Sequence, residues 1–192
     1  IALAGDTLED VKKKGVMVCG VKDSLPPFGY VDEATRTIVG YDIDFCKTIA
    51  DKLGVKLELK PVTSASRMPQ LIEGNIDMIA ATMTKTAERA QQIDFSVTYF
   101  ATGQKFLVKK GTVKELKDLE GKNLGSPAGG AAMRMFATLA DKNGVAASKV
   151  TWTNMAPNLQ EQMLLRGQVD ASAVFSVTSY MNLVAQNLDP EK

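Results

Sequence analysis

Hydrophobic positions along this chain switch period several times. Val16–Val21 is a short continuous apolar run, the mark of a strand buried on both faces. Tyr41–Leu53 turns to helical spacing, with Ile43, Cys46, Ile49 and Leu53 on one stripe and Gly54 placed to close the helix. Val55–Lys60 alternates Val-Lys-Leu-Glu-Leu-Lys, the period of a half-buried strand. The same reading predicts an opening helix over Thr7–Lys14, a helix from Arg67 to Glu73, a strand at Asp77–Ala81 and a helix starting at Thr86. Leu25–Tyr30 contains Pro26 and Pro27 and reads as a loop, because two prolines cannot sit in a ladder. Strands alternating with helices predict an α/β layered domain with a mostly parallel sheet.

The pattern then repeats. Leu71-Ile72-Glu73-Gly74-Asn75-Ile76-Asp77 returns 93 positions later as Leu164-Leu165-Arg166-Gly167-Gln168-Val169-Asp170, and each copy leads into a short apolar run. A helix ending on glycine before a Val/Ile-Asp step is a common device, but its recurrence points to two lobes of similar plan. The expected lobes are residues 1–102 and 103–192, with Gln104–Lys109 as the extended connection between them. In the second lobe, helices are expected near Val113–Leu119, Ala131–Asn143, Asn158–Arg166 and Val177–Asn187. Strands are expected at Asn123–Ser126, at Val150–Thr153 with the only tryptophan, Trp152, and at Asp170–Phe175. Two such lobes with parallel sheets flanked by helices form a hinged fold whose ligand crevice lies at strand C-termini.

Composition narrows the chemistry. The chain has 192 residues, 45% of them hydrophobic, enough for one large core or two small ones. Net charge is +1 with both signs interspersed, so neither a nucleic-acid-binding stripe nor a polybasic membrane anchor is present. No apolar run approaches the roughly 18 residues of a spanning helix. Histidine is absent, which removes the commonest general base and the commonest metal ligand. Cys19 and Cys46 are too few and too far apart for zinc, and no cofactor or metal is expected. Cys46 lies on the apolar stripe and reads as a buried small hydrophobe, with a Cys19–Cys46 disulfide open to it in an oxidising compartment. Ile1-Ala2-Leu3-Ala4-Gly5-Asp6 carries an Ala-x-Ala pattern, read either as the tail of a removed secretory signal or as an ordinary terminus or cloning remnant.

The stretch from Ala81 to Ser96, ATMTKTAERAQQIDFS, concentrates the candidate chemistry. Thr86 can cap a helix through its hydroxyl. Arg89 then falls at about the third helical position, where the macrodipole disfavours a cation by roughly 0.3–1 kcal/mol. An incoming anion resolves that conflict, because free N–H groups, the hydroxyls of Thr82 and Thr84 and a guanidinium converge on one point. The alternative is a local ion pair of Arg89 with Glu88 or Asp94.

At these residues the chain strongly resembles the polar amino-acid-binding family of bacterial extracytoplasmic solute-binding proteins, which feed ABC importers. The runs that carry the resemblance are Gly15–Val21, Pro27-Phe28, Gly40–Asp44, Leu71–Asp77, Ala81–Arg89 and Ile93–Ser96. The resemblance implies that Thr82, Thr84 and Arg89, with backbone from Thr82 through Met83 to Thr84, grip a ligand's α-carboxylate while Phe28 lines the pocket. Its glutamate- and aspartate-binding branch is matched at Lys22, Ser64 and Arg67, with Pro69 two positions on, which implies a second carboxylate at Arg67. A solvated arginine at a helix start is the plainer reading of Arg67.

Beyond Lys122 the likeness changes. The family's hydroxyl-bearing loop is replaced by Pro127-Ala128-Gly129-Gly130, and the position expected to hold an acid for the ligand's ammonium holds Phe175 or Ser176. Residues 119–192 resemble instead the nitrate/sulfonate/taurine and thiamine-precursor binding family, through Gly125–Ala132, Val150–Asn154 and Gly167–Ala171. A chimera joined at the shared Leu119-Glu120-Gly121-Lys122 element is one reading. Members of both families run on past this point and cross back to the first lobe, so truncation, or completion by strand exchange in a dimer, is expected.

These resemblances together imply a periplasmic receptor, not an enzyme. It would close over an anionic or zwitterionic small molecule, with the Gly129-Gly130 helix start on the ligand's other face, and be read by an ABC permease or a sensor. Dehydratases of cyclic dienyl acids share the fold, but here only Lys22 and Asp23 could serve as acid or base. A recombined scaffold with an incomplete site is the third reading.

Overall fold

Apolar runs become strands and periodic segments become helices in two units, divided between Tyr99 and Phe100, earlier than the expected 102/103 boundary. The computed structural model describes residues 4–189, so the Ile1-Ala2-Leu3 part of the signal-like pattern lies outside it. The first unit runs α1 (Ala4–Lys14), β1 (Val16–Val21), β2 (Ser24–Leu25), β3 (Gly29–Val31), β4 (Ile38–Val39), α2 (Tyr41–Leu53), β5 (Lys56–Pro61), α3 (Arg67–Ile72), β6 (Met78–Ala80) and α4 (Ala87–Ala90). Its main sheet has the order β5-β1-β6 and is wholly parallel, with Val16 opposite Lys56 and Cys19 opposite Met78. The continuous apolar run is therefore the central strand, where both faces need cover.

Helix α2 covers one face, while Val18 joins a separate cluster with Val62, Ile76 and Ala81. Ile43 and Cys46 pack on Cys19, Val21 and Ala80, and Ala50 joins Val11 and Met17. Gly54 closes the helix in the left-handed conformation at φ 67°, as the pattern predicts. Cys19 and Cys46 are both fully buried and joined by a disulfide, so the apolar reading of Cys46 and the bridge hold together. The loop expected over Leu25–Tyr30 is tighter than that: β2 and β3 pair antiparallel around the two prolines, Leu25 opposite Gly29, and β4 adds a third strand. The prolines themselves stay out of the ladder, and only their neighbours enter it.

The second unit runs β7 (Gln104–Val108), β8 (Asn123–Ser126), α5 (Ala131–Lys142), β9 (Thr151–Asn154), α6 (Gln160–Leu165), β10 (Ala171–Phe175) and α7 (Ser176–Ala185). Short 3₁₀ turns stand at Leu116–Leu119, where a helix is expected from Val113, and at Pro157–Leu159, ahead of α6. The sheet order is β7-β10-β8-β9, parallel except at β7. Gln104–Val108 is thus a strand, antiparallel to β10, and not a free connection. Its backbone groups find partners from Phe175 to Ala171, which an isolated extended segment would leave to water. Phe136 of α5 anchors the core, edge-on to Phe106 and to Trp152 at ring separations of 5.9 and 5.4 Å.

The sequence echo is a structural one. Gly74 and Gly167 adopt φ 72° and 71°, and each donates to the carbonyl of Leu71 or Leu164 at 3.0 Å. Asp77 then donates its N–H to Val18 O at 2.8 Å and accepts Val18 N on its carboxylate at 2.7 Å. Asp170 does the same with Asn123, at 2.8 Å each way. The order β9-β8-β10 in the second unit repeats β5-β1-β6 in the first.

The disulfide closes a separation of 27 residues, and chain-entropy reasoning gives it about 3.5 kcal/mol of stabilisation. The Cys19→Ala/Cys46→Ala double variant is expected to lose about 2–4 kcal/mol in chemical unfolding followed by circular dichroism. An unchanged midpoint would show that the bridge does not stabilise this unit.

Candidate functional site

The three parallel strands of the first unit end side by side, and the residue types singled out in the sequence follow those ends: Lys22 after β1, Ser64 after β5, and Thr82, Met83 and Thr84 after β6. Loops at the C-terminal ends of parallel strands are where open α/β sheets bind ligands. Lys22 is buried, its ammonium donating to Val62 O at 3.1 Å and to Ser64 Oγ at 3.3 Å. Arg67, the first residue of α3, is 2% exposed and donates through Nη1 to Ala81 O. Burial of that guanidinium overturns the reading of a solvated helix-start arginine. Arg89 is also 2% exposed and donates through Nη1 to Thr84 O at 2.8 Å. The 81–84 loop is thereby bracketed by two buried guanidinium groups.

Thr86 caps α4 as expected, its hydroxyl accepting Arg89 N at 3.2 Å. The helix, however, is a single turn, Ala87–Ala90, too short to build a macrodipole. Arg89 is therefore not at a wrong end, and its purpose lies in what its fork reaches.

Two residues packed against this loop, Asp42 and Tyr99, escape sequence reasoning. Asp42, in the first turn of α2, is fully buried, and its two oxygens accept Thr82 N at 3.0 Å and the Tyr99 hydroxyl at 3.0 Å. The signal was present in Gly40-Tyr41-Asp42, an acid next to an apolar stripe, but nothing in the spacing names its partners. Thr82 itself sits at φ 51°, a left-handed conformation that a β-branched residue adopts at a cost of about 1–3 kcal/mol. Its N–H is thus engaged inside the protein and is not offered to a ligand. Neither the Met83 nor the Thr84 amide has an acceptor among the described residues. Phe28 is buried, edge-on to Tyr41 at 6.3 Å.

Burial depresses the Lys22 ammonium to a pKa of about 8; the Arg67 charge adds to this and Asp23 partly offsets it. Burial raises the Asp42 carboxyl above its ordinary range, against the pull of the bonds from Thr82 and Tyr99 and of the Arg67 charge. The Tyr99 hydroxyl is pushed up by its own burial first and by the Asp42 charge second.

The second unit places Gly129, Gly130, Phe175 and Ser176 at the equivalent strand ends. The loop after β8 is pinned by Ala128 N donating to Asn154 Oδ1 at 2.7 Å and Gly130 N to Pro127 O at 3.0 Å. Gly130 precedes α5, and Phe175 leads directly into Ser176 at the start of α7. The buried acid of this unit is Glu161 on α6, which accepts from the Ser179 hydroxyl and from Asn182 Nδ2 at 3.3 Å on α7. It belongs to the packing of two helices, so it does not replace the acid missing at Phe175 or Ser176. Among the described residues no cluster of three metal-ligating side chains exists, and no helix is long and apolar enough to cross a membrane.

Residues 17–120 match the family of bacterial extracellular solute-binding proteins, family 3. An ABC transporter glutamine-binding protein of Bacillus subtilis is 45% identical over 124 residues, which are 63% of this chain and 45% of that protein. A glutamate/aspartate import solute-binding protein of Salmonella typhimurium is 38% identical over 127 residues, 62% of this chain and 42% of that one. The chain spans less than half the length of these curated relatives. Among solved structures, an ancestral arginine-binding protein bound to arginine superposes with a TM-score of 0.77 at 38% identity, covering 90% of this chain and 75% of that one. That likeness extends through both units, and the fold is the two-lobed α/β type, with parallel sheets flanked by helices.

The Lys22 position yields a pH test. With a folded pKa of about 8 against an unfolded value of 10.5, the unfolded chain holds a proton between these limits that the folded chain has lost. Stability therefore rises with pH across that window, while below pH 8 both states are charged and the contribution is flat. Relative to Lys22→Met, the wild type is expected to gain on the order of 2 kcal/mol in urea unfolding between about pH 7 and about pH 10. A constant difference would mean that Lys22 is solvated.

Proposed function

Because the chain belongs to the bacterial extracellular solute-binding proteins, family 3, we propose that it is a receptor for a small carboxylate-bearing solute, a polar or acidic amino acid. The observation that carries this reading is the 82–84 loop, which presents the Met83 and Thr84 amides beside the buried Arg89 guanidinium. Two amides, the Thr84 hydroxyl and a charged fork form the donor set for an α-carboxylate, the Thr82 hydroxyl being spent on Ala81 O at 2.8 Å.

The acidic preference rests on charge. Lys22, Arg67 and Arg89 are buried in the first unit, and Asp42 is its buried carboxylate among the described residues. That excess of positive charge suits a ligand with two carboxylates: one on Arg89 and the loop, the other on Arg67, Lys22 and Ser64. The glutamate/aspartate relative supports it, the glutamine relative supports only the α-carboxylate half, and the extracellular character of the family supports a receptor outside the cell. Delivery to an ABC permease is proposed in keeping with the ABC transporter glutamine-binding protein of Bacillus subtilis. In the second unit, taken by itself, Gly129, Gly130, Phe175 and Ser176 are proposed as ligand-contacting residues. The likeness of residues 119–192 to a nitrate/sulfonate family, and a chimera with it, find no support in the comparisons. One arginine-binding protein covers 90% of the chain at 38% identity.

Calorimetric titration with L-glutamate, L-aspartate, L-glutamine and L-arginine tests the reading. Arg89→Met is expected to weaken every ligand by about 2 kcal/mol or more, roughly 30-fold in Kd. Arg67→Met is expected to weaken the two acidic ligands selectively and leave glutamine nearly unchanged. A protein that binds none of the four would be the incomplete scaffold instead, and turnover of prephenate or arogenate would make it an enzyme.

A further inference from the structure

We propose that Asp42 is a positioning residue for this receptor: without touching the ligand, its carboxylate sets which backbone amides the 82–84 loop presents. The inference rests on the receptor reading above. It begins with Thr82, whose left-handed turn at φ 51° is one that a β-branched residue does not hold unaided. The turn points the Thr82 N–H at Asp42 Oδ2, 3.0 Å away, and so leaves Met83 and Thr84 as the loop's two donors without an internal acceptor.

Asp42 can do this because it cannot move. Its own N–H donates to Phe28 O at 2.9 Å and that of Tyr41 to Pro27 O at 3.0 Å, which fixes the start of α2. Gly40 allows this close approach, since a Cβ there would lie 2.5 Å from Phe28 O. The second oxygen, Oδ1, takes the Tyr99 hydroxyl at 3.0 Å. Tyr99 is held in turn by the Tyr41 hydroxyl on its carbonyl at 3.2 Å and by ring packing against Phe45 at 4.8 Å. One carboxylate thus ties the ligand loop to the last residue of the first unit.

Replacement separates positioning from mere packing. In Asp42→Asn the amide oxygen can accept Thr82 N–H while the amide nitrogen donates to the Tyr99 oxygen, so both ties survive. Asp42→Ala keeps neither, and Tyr99→Phe removes only one. The measurements are amide hydrogen exchange at Thr82, read by NMR, and calorimetric affinity for L-glutamate, L-aspartate, L-glutamine and L-arginine. Asp42→Asn is expected to keep slow exchange and bind within about threefold of wild type, and Asp42→Ala to exchange fast and bind roughly 10–100-fold more weakly. Tyr99→Phe is expected to keep Thr82 protected with a loss of about 2–5-fold. If Asp42→Ala does not fold, the Asn and Phe variants still decide: a loss in Asp42→Asn as large as that from Arg89→Met overturns the inference. Equal affinity in wild type and folded Asp42→Ala also overturns it and leaves the receptor reading intact. If the wild type binds none of the four while Thr82 exchange still depends on Asp42, the receptor reading falls and the loop anchor stands.

Discussion

A buried cation needs oxygen partners in place of its lost water, and the first unit gives each of its three buried cations a backbone carbonyl. Lys22 lies on Val62 O, Arg67 on Ala81 O and Arg89 on Thr84 O. Carbonyl dipoles orient an ammonium or a guanidinium without cancelling its charge. The ends of the three parallel strands therefore gather three buried cations. This is also why the Lys22 proton is held loosely: burial and the neighbouring Arg67 both work against it.

The second unit shows what the scaffold looks like without that charge. Its three central strands repeat the order and parallel sense of the first unit, and the glycine-Asp step before β10 repeats the bonds of the step before β6. Yet its buried polar side chains are Ser126, Gln160, Glu161, Ser172, Thr178 and Ser179, with no lysine or arginine among those described. Gln160 and Ser172 lock α6 to β10, through Ala173 O at 2.8 Å and Gln160 O at 3.1 Å, and Glu161 locks α6 to α7. One backbone plan thus carries buried cations at its strand ends in one copy and bracing without lysine or arginine, among the described residues, in the other.

The elements that were legible are those whose stability is local or whose period is long. Val16–Val21 and Tyr41–Leu53 appear with the expected bounds, because a continuous apolar run and a capped amphipathic stripe each have one favourable solution. The β2–β4 strands and β7 were not legible: each is two to five residues long and owes its form to a partner strand, not to its own pattern. Arg89 was singled out beside its threonines and Arg67 through the resemblance, but that both guanidinium groups are buried was not legible. The dipole argument for Arg89 failed on the length of α4, which depends on how soon the chain must turn away after Ala90.

Sequence by itself determined the two-fold recurrence, the α/β class, the absence of histidine chemistry and the residue types able to hold a carboxylate. All of these are properties of order and composition, and they survive any arrangement in space. Tertiary structure alone decided that Cys19 meets Cys46, that Arg67 is buried, and that Asp42 reaches Thr82 and Tyr99 across 40 and 57 positions of chain. Contacts of that range depend on which strand lies beside which. A carboxylate becomes an anchor only when packing removes the water that would otherwise hydrate it.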